Sequence, residues 1–131
     1  MEPSLLRLVA GVGAFLLLAV ALFQVLLALG LPFGEAAWGG GHRVLPRNLR
    51  VGSAVAAVVW VAAALIVLER GAVLSLGIGP ATTGPAVWVL TALLALGTLM
   101  NAASRSRIER LIWTPVAAGG CASCLLLSLV G

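Results

Sequence analysis

A chain of 131 residues that is 62% hydrophobic and only 9% charged lies far from the soluble average of about 45–50% apolar and about 25% charged. That composition excludes an ordinary soluble enzyme and points to an integral membrane protein. The formal charge of +4, which would suggest nucleic acid in a soluble domain, points in lipid to anionic headgroups and to orientation, with no nucleic-acid partner expected; the two cysteines are too few for a disulfide framework.

Four apolar runs, at about 4–31, 51–68, 86–103 and 111–130, are long enough to cross a hydrocarbon core of about 30 Å, which takes about 20 helical residues. Lipid offers no hydrogen-bond partner to an exposed backbone, so each run is predicted to be a helix. The expected fold is all-α: one four-transmembrane-helix bundle built from two helical hairpins, forming a single domain over residues 1–131. The first run superficially resembles a secretory signal, with Ala28-Leu29-Gly30 at the place of a cleavage site. It is about twice as long as a signal core of 7–15 residues, and Glu2 stands where a positive region belongs, so it reads as a retained span.

The connection at 32–50 is the long polar stretch of the chain. Pro32, Gly34 and Gly39 to Gly41 read as a flexible connector. Glu35, Trp38 and His42 are its possible pocket chemistry. One His and one Glu in one loop make neither a metal cage nor a catalytic triad, so no metal, cofactor or catalytic residue is expected. Residues 71–85 are uncharged and rich in Gly, Pro and Thr, as for a loop lying against the opposite interface. Trp38, Trp88 and Trp113 fall near span ends, where an indole anchors at headgroup level, while Trp60 is mid-span.

Membrane helices associate through small side chains, because lipid tails compete equally well for large apolar ones. In the fourth run Ala117, Gly120, Cys121, Cys124 and Ser128 share one face, with Pro115 expected in the first turn; Gly52, Ala56 and Ala63, Gly97, and Gly11 are the corresponding candidates in the other spans. Cys121 and Cys124 also form a Cys-x-x-Cys pair, the possible redox pair of a membrane thiol oxidoreductase. A reactive pair needs a helix start, a cationic neighbour or a metal to stabilise its thiolate; only a break at Gly119-Gly120 would supply one, so packing is the favoured role. Gln24, Thr91, Thr98 and Asn101 are the uncharged polar side chains at membrane depth. They read as interhelical hydrogen-bonding groups or, for Gln24, Thr98 and Asn101, as the lining of a polar cavity. No charge lies deep in a span, which argues against ion-coupled pumping.

The arginines are distributed unevenly. With four spans, Arg43, Arg47, Arg50, Arg105, Arg107 and Arg110 share one side of the membrane, and Arg7 and Arg70 share the other with both chain ends. The positive-inside rule then places loops 32–50 and 104–110 in the cytoplasm and both termini outside, in an inner or plasma membrane. Those six guanidinium groups are candidate contacts for anionic lipid or phosphate, since their planar forks bind phosphate bidentately, and also serve as topology determinants. The second helix of each hairpin opens on Arg-x-x-Arg, at Arg47 to Arg50 and Arg107 to Arg110. An internal repeat, as in transporters, and the orientation rule alone both account for that pattern.

The stretch from Asn101 through Ser104-Arg105-Ser106-Arg107 and Glu109-Arg110 to Trp113 and Pro115, taken with Gly34-Glu35, Trp38-Gly39-Gly40 and Leu45-Pro46-Arg47, resembles a group of small four-span bacterial membrane proteins of uncharacterised function. The resemblance implies no activity, ligand or catalytic residue. The expected function is a non-enzymatic structural or accessory role, binding lipid or a larger membrane complex through apolar helix faces and the Arg-rich face. A small dimeric transporter or channel is the first alternative, and a thiol oxidoreductase acting through Cys121 and Cys124 the second. Expected partners are anionic lipid headgroups, with a membrane protein complex or a homodimer as further possibilities.

Overall fold

The computed structural model describes residues 1–130. Its four long helices are α1 (Pro3–Ala28), α2 (Arg47–Arg70), α3 (Pro80–Ala102) and α4 (Thr114–Val130), the last continuous with a π-helical turn at Glu109–Trp113. All are long and apolar enough to cross a membrane, α4 together with its π turn. The expected architecture of two hairpins is the one found: α1 packs chiefly on α2, α3 on α4, and the hairpins meet mainly where α1 touches α4.

The helix ends follow from local chemistry. α1 starts with Pro3 in the first turn, where its missing N–H is not needed. It stops at Ala28, short of the expected 31, because Gly30 takes a left-handed φ of 87° and the amides of Gly30 and Leu31 fold back onto the carbonyls of Leu27 and Leu26, a Schellman closure. α2 ends the same way, with Ala72 at φ 57° in the left-handed position and the amides of Ala72 and Val73 bonded to the carbonyls of Glu69 and Leu68. α3 begins at Pro80 rather than 86. Gly79, at φ 82°, precedes it and its carbonyl receives the Thr83 amide, so residues 80–85 of the expected 71–85 loop are helix. Within the remaining loop the Glu69 carboxylate accepts the Leu76 amide.

The core is built from small and medium side chains of all four helices: Ala10, Ala14 and Leu17 from α1, Ala63, Ala64 and Val67 from α2, Leu90 and Leu94 from α3, and Cys124 and Leu127 from α4. α1 and α4 cross closely at Gly13, where a methyl would stand 2.8 Å from Ser123 Cβ. Gly13, not the expected Gly11, carries that contact; space around Gly11 and Gly97 is open. On α4 the buried face is Ala117, Gly120, Ser123, Cys124, Leu127 and Ser128, close to the expected stripe, with Cys121 half-buried. Large side chains such as Phe15, Leu22, Val58, Val89 and Leu99 point outward, as helices embedded in lipid require.

Candidate functional site

The loop at 32–50 is a folded cap, not a flexible connector. Two short 3-10 turns, Gly34–Ala36 and Trp38–Gly40, place Ala37 and Leu45 on Leu27 at the end of α1, with Phe23 and Leu49 around them. The Gly34 amide donates to the Arg43 carbonyl at 2.8 Å, and the loop segment containing His42 and Arg43 passes so close to Gly34 that a side chain there would strike its carbonyls. Trp38 adopts φ 51°, left-handed and rare for a bulky residue. That conformation lays its indole over Gly52 and lets its Nε1 donate to Ser53 Oγ at 3.1 Å.

The second connection is clasped to this cap. Ser106 is the N-cap of the final helical segment, and its Oγ accepts the Glu109 amide at 3.3 Å while donating to the Glu35 carbonyl at 2.6 Å. In a capping box the Glu three residues on would reach back to the Ser amide. Here Ser104 Oγ accepts that amide, and the Glu109 carboxylate crosses to the other loop, where Oε1 accepts the Gly39 amide at 2.9 Å. Gly40 packs against Ser106, where an added methyl would lie 3.0 Å from its Cβ. Glu109 is 7% exposed, so this charge-assisted bond between the hairpins is shielded from solvent.

Beneath the clasp, between the four helices, lies a cavity of about 570 Å³. Its walls are largely apolar, with Leu17 of α1, Trp60 of α2, Leu94 and Met100 of α3, and Val116 of α4. Polar side chains collect at the end nearest the loops: Gln24, Asn101, Ser104, Arg105 and Glu109. Trp113, expected as an interfacial anchor, instead turns inward onto Phe23, with ring centroids 4.7 Å apart, and lines the cavity with Trp38 and Trp60.

No family model, curated protein or solved structure matches the chain. The geometry alone therefore carries the functional reading. Of the six arginines singled out, Arg43, Arg47, Arg105, Arg107 and Arg110 are exposed at one end of the bundle, with Arg110 turned to the Ser104 carbonyl at 2.7 Å. Arg50 is different: its Nε caps the Ala28 carbonyl at 3.1 Å, satisfying the C-terminus of α1. Trp38 reaches the cavity, whereas Glu35 and His42 are exposed side chains that contribute mainly backbone to the cap. Gln24 and Asn101 line the cavity. Thr98 bonds to the Leu94 carbonyl of its own helix at 2.7 Å, and the Asn101 amide does likewise to Gly97 at 2.9 Å, so neither bridges helices through these groups. Thr91 does face Ser128 across the α3–α4 seam, at 3.4 Å. Cys121 and Cys124 are free thiols in mid-helix, the first directed at the Thr91 carbonyl; the helix runs unbroken through Gly119-Gly120, so no local helix start activates them.

Sequence reading missed Ser106 as a structural centre, although Ser106-x-x-Glu109 carries the capping-box spacing that marks a helix start.

Proposed function

We propose that this protein is a non-enzymatic component of a plasma membrane that gathers anionic lipid on a cytoplasmic arginine face, with both termini outside. The observation that carries the reading is the clasp: through Ser106 and Glu109 the two Arg-bearing loops become one surface, on which Arg43, Arg47, Arg105, Arg107 and Arg110 are exposed. Each arginine near an anionic leaflet contributes about 1 kcal/mol of attraction. With Glu109 buried against the other loop, Glu35 is the exposed acid in these two connections. The remaining faces are apolar and suit lipid chains or a membrane partner.

Spin-labelled lipids test this in mixed phosphatidylcholine and phosphatidylglycerol vesicles. The labelled phosphatidylglycerol is expected to show the larger motionally restricted fraction, an excess that falls as salt screens the headgroups and disappears when Arg43, Arg47, Arg105 and Arg107 are changed together to Gln. Equal restriction of the two lipids would overturn the proposal.

A further inference from the structure

A charge buried in a protein is ordinarily paired or set against a metal ion. The Glu109 carboxylate, which lines the cavity and belongs to a residue only 7% exposed, is answered on one side alone. Oε1 accepts the Gly39 amide at 2.9 Å. Oε2 has no hydrogen-bond partner among the described residues and, unlike the unpaired Gln24 Oε1 and Trp113 Nε1, is not sealed from the surrounding space. The nearby arginines turn elsewhere: Arg110 donates to the Ser104 carbonyl and Arg50 to the Ala28 carbonyl. The donor set does not suit a metal ion, because among the described residues no three His, Cys, Asp or Glu side chains gather around one point.

The surroundings of this carboxylate are aromatic. Trp38 directly precedes Gly39, whose amide is bonded to it. Trp113 ends the π-helical turn that Glu109 begins and carries Phe23 against its ring, with centroids 4.7 Å apart. Trp60 continues the wall on α2. Indole faces attract cations, most strongly where water is excluded. A primary ammonium brings three N–H donors that each need an acceptor, and these walls are largely apolar; a quaternary centre brings none. At about 570 Å³ the cavity falls within the roughly 300–1,000 Å³ of small-molecule sites. Trp38 and Met100, both exposed, stand on its wall and leave it open at the surface. Arg105, the cation on the same wall, is exposed and screened by solvent.

We propose that the cavity binds a hydrophobic organic cation of the quaternary ammonium or phosphonium class, its charge beside Glu109 and its apolar groups against the indoles. The arginine face gathers the opposite charge, so loss of either binding activity leaves the other intact.

Equilibrium dialysis of radiolabelled tetraphenylphosphonium against the protein in dodecyl maltoside, a neutral detergent, tests the site. Saturable uptake is expected, displaced by tetraphenylarsonium and about tenfold less effectively by neutral triphenylphosphine oxide, which lacks the charge. Glu109→Gln keeps an oxygen to accept the Gly39 amide but removes the charge, and should weaken binding about tenfold or more. Trp60→Leu, remote from the clasp, should weaken it severalfold with helical circular dichroism retained. Arg105→Gln removes a competing cation and should tighten it, whereas the same change weakens an arginine site for anionic lipid. Uptake without saturation, or affinity unchanged in Glu109→Gln or in Trp60→Leu, overturns the site. Equal displacement by the neutral oxide overturns the assignment of a cation.

Discussion

Glu109 shows how a single side chain joins two halves of a molecule. Its carboxylate is buried and accepts an amide from a loop seventy positions away, and a hydrogen bond to a charged group is worth about 1.5–3 kcal/mol. Glu109→Ala is therefore expected to lower unfolding stability in detergent by about that amount and to speed hydrogen exchange at the Gly39 amide; unchanged exchange there would contradict the contact. Gly13 offers a second test. Ser123 Cβ leaves no room for a methyl on Gly13, while the space around Gly11 is open, so Gly13→Ala should destabilise by about 1–3 kcal/mol through overpacking and Gly11→Ala should not destabilise. At Ala72 the sign reverses. A left-handed alanine costs roughly 1–2 kcal/mol, and Ala72→Gly is expected to raise the thermal midpoint. These positions were not all equally legible. Small residues mark a helix as a packing element, but Gly11 and Gly13 lie two apart, and only the rotation of α1 against α4 decides which of them meets Ser123.

Among the elements, the spans were readable because apolar length and proline or glycine punctuation are local signals. Gly30, Gly79 and Pro80 set the end of α1 and the start of α3, and the shift of the α3 start from the expected boundary comes from Pro80 opening a helix that composition alone would place in a loop. Pro115 illustrates the opposite case. The helical segment starts just after Ser106, so Pro115 lies in its interior rather than in its first turn. Its missing N–H cannot serve the Leu111 carbonyl, and the preceding turn widens to a π-helix in which the Thr114 amide reaches the Glu109 carbonyl. Pro115→Ala should restore the donor, slow amide exchange over 111–115 and raise stability by about 1–3 kcal/mol; faster exchange would contradict this origin of the π turn. The fold of the 32–50 cap was not legible, because Gly34 and Gly40 look like flexible residues in sequence. They are in fact points of close backbone approach, to the Arg43 carbonyl and to Ser106.

For the whole molecule, the distribution of arginines and the clasp between loops belong together. A charge difference between the two ends was evident from the sequence, with Arg7 and Arg70 at one end and the remaining arginines at the other. That the two loops touch required long-range geometry. The cavity was legible only as isolated polar residues: Gln24 and Asn101 line it, but the indoles of Trp38 and Trp113 reach it through loop folding and the π turn. In the proposed orientation, an alkaline phosphatase fused to the C-terminus should be active outside and a fluorescent protein that folds only in the cytoplasm should stay dark. The central claim, a clasped arginine face that gathers anionic lipid, is tested most directly by native mass spectrometry of the protein released from membranes containing both zwitterionic and anionic phospholipid. Bound lipid should be enriched in the anionic class over the bulk membrane and return to bulk composition in Arg43→Gln, Arg47→Gln, Arg105→Gln and Arg107→Gln combined; bulk composition in the wild-type protein would contradict it.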